Sequence, residues 1–222
     1  VNPTWNVPPG IMANDYLPAL RDDPTALERI GVRVEQNRDG TIRMYQPPGD
    51  NNALGRLRFN FPNKFLVYQH DTPDKHLFQR DVRAYSSGCM RVQDPVKYAE
   101  VMLSIALPNE RYTQERIRAM FGPTEMNINF PKPIPVHITY QTAFVDDAGQ
   151  LQLRDDVYGH DAAMIALLKG SERQVADIAI PRRHQTVSRE ELRLPNGVYL
   201  GAYDGPRYGS NPIEDFFRSI FR

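Results

Sequence analysis

The chain has only one cysteine in 222 residues, Cys89, so no disulfide can form within it and pairing says nothing about redox compartment. It also lacks an excess of charge. Its 27 Lys and Arg balance 27 Asp and Glu, so no global field draws nucleic acid or an anionic surface, and nucleic acid is not an expected partner. No run approaches the roughly twenty apolar residues of a membrane-spanning helix, and no signal-peptide pattern is present. Because the chain opens on Val1 rather than Met, as "VNPTW", it reads as an internal fragment, which leaves a membrane anchor upstream open. Internal repeats and low-complexity tracts are missing as well.

What is present points to a folded domain. Apolar residues make up 41% of the chain, enough for a sizeable core. The 19 prolines cluster in "NPTWNVPPG", "YQPPGD" and "FPKPIP"; they argue against a helix bundle and for extended segments and shaped loops. "VNPTWNVPPGI" should be extended, since each proline biases its predecessor that way. "NDYLPALRDDPTALERIG" predicts two short helical turns, the second capped by Asp23, with Pro24 in its first position and Gly31 at its end. "VRVEQNRDGTIRMYQ" alternates around Asp39-Gly40, a hairpin signal. In "RLRFNFPNKFLVYQHD", Leu57, Phe59 and Phe61 share a face, and the Phe65 to Tyr68 run predicts a buried strand.

Asp94 should cap a helix with Pro95 at its first position and an apolar stripe of Val96, Ala99, Met102, Leu103 and Ala106. Thr113 should cap the next helix, although Arg116 stands where a capping box wants Glu or Gln. "IPVHITYQTAFVDDAGQLQLRDDVYG" predicts a long hairpin turning at Asp147 to Gly149, and "DAAMIALLKG" a short helix. Near the end, Asn211 and Pro212 can start a helix over 212–221, with Ile213, Phe216, Phe217 and Ile220 on one face. That stripe suits packing on its own domain better than a partner or membrane surface.

The chemistry concentrates in "VYQHDTPDKHLFQRDVRAYSSGCMRV". A lone cysteine is most often a small buried hydrophobe. Three local features point further. Gly88 permits a turn that exposes the Cys89 side chain and aims N–H groups at a developing oxyanion. Arg83 and Arg91 flank the thiol, and positive charge lowers a thiol pKa. His70 closes an apolar strand and opens the loop "HDTP", where a rigid scaffold meets mobile chain. Together these describe a nucleophile, a base and an anion cradle. His70, Asp71 and His76 also invite a metal reading, but Pro73 prevents a regular helix between them and no further ligand pair has useful spacing, so no metal is expected. His137, His160 and His184 are scattered and carry no constellation.

"YQHDTPDKHLFQRDVRAYSSGCMRV" strongly resembles the active-site block of the YkuD-type L,D-transpeptidases, in particular the large Gram-negative periplasmic branch with Ser-Ser-Gly-Cys. "NPTWNVP", "ALGRLRFNFPN" and the 134–159 block resemble it too, in the right order, over most of residues 1–160. Many members write Ser-His-Gly-Cys; Ser87 here replaces that second His, so no imidazole role is available there.

The resemblance implies a β-rich α+β fold: a YkuD-like β-sandwich or sheet with flanking helices and an inserted helical cap. A catalytic domain would span 1–168, with early strands of the sheet apparently missing and 14–54 as the cap; 169–222 would be a C-terminal extension. The resemblance makes Cys89 the nucleophile and His70 the base, oriented by a backbone carbonyl. Gly88, Ser87 and Arg91 would shape the site and its oxyanion hole, with the Cys89 N–H as one donor. Tyr68, Trp5 and Arg83 would contact substrate, although Trp5 can equally be core.

The implied activity is a 3→3 diaminopimelate cross-link in cell-wall peptidoglycan, formed through a cysteine acyl-enzyme without cofactor. The implied partners are peptidoglycan stem peptides, with carbapenem-type β-lactams as inhibitors, and the implied place is the periplasm. An L,D-carboxypeptidase, a hydrolase of protein–peptidoglycan links, and a non-catalytic wall-binding module with a structural cysteine remain open alternatives.

Overall fold

A computed structural model describes residues 1–63, 65, 67–86, 88–170 and 190–194. The predicted helix over 212–221, most of the 169–222 extension, and Ser87 therefore lie outside the described residues.

The N-terminal part is a small layered unit. Strand β1 (Trp5–Asn6) pairs antiparallel with β3 (Ile42–Gln46), which pairs antiparallel with β2 (Arg33–Gln36) in the order β1-β3-β2. The turn between β2 and β3 is the expected one. Gly40 has φ +80°, and the Asp39 carboxylate accepts from the N–H and hydroxyl of Thr41. Strand β3 alternates as its sequence does, with Ile42, Met44 and Gln46 turned inward.

Over this sheet lies a helical stretch: α1 (Pro9–Ile11), a π turn (Met12–Tyr16), α2 (Leu17–Asp22), then α3 (Ala26–Arg29). The helix starts at Pro9, earlier than expected. The run of prolines that argued for extended chain also suits a helix start, because Pro9 lacks the N–H that a first turn leaves unpaired. Asp23 braces the next turn by accepting from the N–H and hydroxyl of Thr25, and Gly31 at φ +71° closes it.

Trp5, Val7, Met12, Tyr16, Leu17, Leu20, Leu27, Ile30, Val32, Ile42, Met44 and Leu54 form one buried cluster, each large side chain contributing about 1.5–3 kcal/mol. The segment expected as a helical cap, 14–54, thus carries a hairpin as well as helices. It also shares its core with Trp5 and Val7, which lie outside those limits.

The second unit holds a three-stranded sheet of β4 (Arg58–Phe59), β5 (Gln69–His70) and β6 (Met90–Arg91), with β5 central. Behind it lie α4 (Pro95–Ala106) and α5 (Gln114–Ala119). Both predicted caps form: Asp94 Oδ1 accepts from the Lys97 N–H at 3.1 Å, and Thr113 Oγ1 from the Arg116 N–H at 3.3 Å. Val96, Ala99 and Leu103 of α4 meet Leu57 and Ile117 in a second core. The expected buried strand from Phe65 does not form. Phe65 is exposed in a turn, and the strand begins only at Gln69.

Strand β7 (Ala143–Val145) and β8 (Leu151–Leu153) make the predicted hairpin, with Gly149 at φ +76°. It is far shorter than the sequence suggested. Helix α6 (His160–Leu168) follows. Among the described residues helix outweighs strand, and the strands form three small sheets rather than a sandwich. The described residues thus show the α+β class that was expected, as mixed helices and small sheets. Among the described residues no helix is long and apolar enough to cross a membrane.

Candidate active site

The site is assembled by β5. Across its antiparallel partner it sets His70 opposite Arg58, and across its parallel partner His70 opposite Arg91. Side chains alternate along a strand, so Phe59, Gln69 and Met90 take one face and Arg58, His70 and Arg91 the other. The first face sits on α4. The Tyr98 hydroxyl donates to Gln69 Oε1 at 2.8 Å, and the Phe59 and Tyr98 rings meet edge-to-face at 4.9 Å.

Along the β5–β6 ladder the Met90 N–H donates to Tyr68 O at 3.0 Å and the Val92 N–H to His70 O at 2.8 Å. One step back in this register lies Cys89 beside Tyr68. The Tyr68 hydroxyl and main chain lie near enough to the thiol to act on its ionisation. The Tyr68 and His70 rings meet edge-to-face at 5.9 Å. Cys89 and His70 are then diagonal neighbours, roughly 8 Å apart at Cα from the ordinary strand spacing and rise. A thiol and an imidazole on one face can close that span.

The His70 ring has a fixed orientation. Its Nδ1 makes a short contact with the Asp71 carbonyl oxygen. A carbonyl only accepts, so Nδ1 carries the proton and Nε2 keeps its lone pair. The turn before Cys89 is equally determined. Gly88 has φ +132°, a conformation that disfavours other residues, and a Cβ there would approach Val67 Cγ1 to 3.2 Å. The Ser86 hydroxyl donates to Cys89 O at 2.6 Å and accepts the Gly88 N–H at 3.1 Å. Gly88 therefore supplies the turn, not a free amide; the Cys89 N–H has no hydrogen-bond partner among the described residues.

The catalytic-domain family of the L,D-transpeptidases, YkuD, matches residues 1–126. The chain belongs to this family. A Haemophilus influenzae protein named "Putative L,D-transpeptidase" is 30% identical over 181 residues, covering 72% of this chain and 35% of that protein. The chain thus spans about a third of that relative's length.

The electrostatics of this L,D-transpeptidase domain differ from the sequence expectation. Burial pushes the Cys89 thiol up; hydrogen bonds from the Tyr68 main chain and hydroxyl, and the Arg58 charge, oppose this without overcoming it. Arg83 and Arg91 do not supply the expected lowering. Arg83 lies on an exposed loop with its Nε donating to Arg80 O at 2.9 Å, and Arg91 Nη1 is 3.3 Å from Asp74 Oδ2. Burial holds His70 down at about 4; its contact with the Asp71 carbonyl works the other way, and the Arg91 charge adds to the lowering. Tyr68 is pushed up to about 12, first by burial and then by the neighbouring thiol.

At neutral pH the pair is therefore a neutral thiol beside a neutral imidazole, not a thiolate–imidazolium pair. Iodoacetamide should label Cys89 slowly at pH 7, with a rate that climbs into alkaline solution and a midpoint above the usual thiol value of about 8.5. A midpoint between pH 5 and 7 would contradict this.

The remaining expected residues divide. Tyr68, His70, Cys89 and Arg91 come together on one face. Trp5 is 8% exposed in the first core, edge-to-face with Tyr16 at 6.3 Å. It borders a cavity of about 20 Å³ with Tyr16, Gln46, Asp74 and Arg91. Arg83 is not brought to this face by any contact among the described residues, and Ser87 lies outside them.

Two members of the site escaped the sequence reading. Arg58 stacks over the Tyr68 ring at 5.4 Å and lies 3.7 Å from Glu125. Its place between Leu57 and Phe59 in an alternating strand was a usable signal. Ser86 was legible as a hydroxyl two residues before a turn glycine.

Proposed function

We propose that this domain is a peptidoglycan L,D-transpeptidase working in the periplasm, and that it forms 3→3 cross-links through a Cys89 acyl-enzyme. The observation that carries the reading is the parallel pairing of β5 with β6, which gathers Tyr68, His70, Cys89 and Arg91 on one face. In the proposed cycle, His70 Nε2 takes the Cys89 proton as the sulfur attacks the carbonyl joining the L-centre of diaminopimelate to D-Ala. The tetrahedral oxyanion is held by the Cys89 N–H and the neighbouring Tyr68 hydroxyl. The intermediate collapses, the C–N bond breaks, and D-Ala leaves with the proton from His70. The side-chain amine of a second diaminopimelate then attacks the thioester and gives a proton to His70. The new amide forms, and Cys89 leaves as the thiol.

General-base activation fits this site because burial disfavours a resting thiolate. The unit around residues 14–54 acts as a cap in this reading, supported by Trp5, Tyr16 and Gln46 bordering the same cavity as Arg91 and Asp74. Glycan-linked tetrapeptide stems should be converted by the chain into a dimer lighter than two substrates by one D-Ala and without loss of water, read by mass spectrometry. Tripeptide alone would make the domain a carboxypeptidase. A carbapenem should add its mass to wild type and not to Cys89→Ala. Absence of both product and adduct would favour a wall-binding module.

A further inference from the structure

The Asp71 carboxylate touches no reacting group, yet the residue is buried and both carboxylate oxygens are engaged. Its Oδ2 accepts the Arg56 N–H at 2.9 Å; its Oδ1 accepts the Thr72 N–H at 2.7 Å and a proton of Lys75 Nζ at 2.6 Å. The carboxylate fits only because Gly55 has no side chain. A Cβ there would lie 2.3 Å from Oδ2 and 2.6 Å from Asp71 Cβ, and Gly55 is held at φ +58°. The remaining protons of Lys75 Nζ reach Val92 O at 3.2 Å and Gln93 O at 3.0 Å, just past the strand that follows Cys89. One ammonium thus fastens the loop carrying His70 to the segment carrying Cys89, using all three of its donors.

We propose that Gly55, Asp71 and Lys75 form a positioning clamp that fixes the His70 ring against Cys89. Gly55 seats the Asp71 side chain on the 52–57 turn. That seat aims the Asp71 carbonyl at His70 Nδ1, and Lys75 sets the spacing between the two catalytic segments. None of the three contacts substrate. The proposal rests on His70 being the base.

The full chain tests it with two readouts. Lys75→Met should lower kcat for acylation by about ten- to a hundredfold while KM moves less than about twofold, because a misplacement on the order of 1 Å can cost about a hundredfold. Lys75→Arg, which keeps the charge and several donors, should recover most of the loss. Independently of turnover, ¹⁵N NMR of the His70 ring should show one Nδ1–H tautomer in wild type and a mixture in Asp71→Asn. A folded Lys75→Met with wild-type kcat, or an unchanged tautomer in Asp71→Asn, overturns the clamp. If wild type makes no product yet the tautomer shifts, the clamp stands and the transpeptidase reading falls. Should Asp71→Asn not fold, Lys75→Met carries the tautomer measurement, since Lys75 is half exposed and its removal leaves no cavity in the core.

Discussion

A His70→Gln variant should form the Cys89 acyl-enzyme about 10²- to 10⁴-fold more slowly than wild type at pH 7, the usual range for removing a general base. The effect is large because the Arg58 charge near the thiol does not overcome its burial. Burial keeps it protonated, and the cations the sequence offered are spent elsewhere, Arg91 beside Asp74 and Arg83 on Arg80 O. Attack then requires an acceptor for the proton at the moment of reaction. His70 fits that need: it is neutral above about pH 4, and its Nδ1–H is committed to the Asp71 carbonyl.

The pH dependence follows with a definite sign. Wild-type acylation should hold down to about pH 5 and fall as pH drops through about 4, when Nε2 becomes protonated. His70→Gln should lose that acid limb, and its residual rate should rise with alkali as the thiol itself ionises. Equal acylation by wild type and variant, measured by carbapenem adduct formation over time, would remove His70 from the mechanism.

How much of this was legible depends on distance along the chain. Asp94, Thr113 and the hairpin turn around Asp39-Gly40 were readable because a cap or a tight turn is decided within about four residues. The Phe65 to Tyr68 run misled because apolarity alone does not say what a residue packs on. Phe65 lies exposed in a turn, whereas Gln69 and His70 pair in the sheet. The long hairpin shrank to two three-residue strands for a similar reason: β-branched composition favours strand but does not provide a neighbour.

At the site, the residue types were visible and their meeting was not. Cys89 and His70 are joined by a parallel pairing across nearly twenty residues, a non-local contact that no periodicity encodes. Family resemblance supplied that link, and the electrostatics had to come from burial. The flanking arginines do not lower the thiol: Arg83 is held on an exposed loop, Arg91 is paired with Asp74, and burial of the sulfur dominates.

The same buried imidazole should make the fold acid-sensitive. His70 titrates near 6.5 when unfolded and is held at about 4 in the folded chain, first by burial. Between those values the unfolded chain binds a proton that the folded chain does not. Stability therefore rises with pH across that window: the full contribution is present above about 6.5, is lost progressively as pH falls from there, and is gone by about 4. A depression of this size amounts to about 3 kcal/mol. His70 is only 6% exposed, so solvent screening takes little from it. Urea unfolding of wild type and His70→Gln at pH 7 and pH 4 isolates the term. Carboxylates such as Asp23, held down at about 2 by hydrogen bonds from Thr25 and Arg29, titrate alike in both proteins and cancel in the difference. The wild type should lose about 3 kcal/mol more than the variant between the two pH values. Identical losses would mean that His70 is protonated as easily in the folded chain as in the unfolded one, and the neutral base on which the proposed acylation depends would then be absent below pH 6.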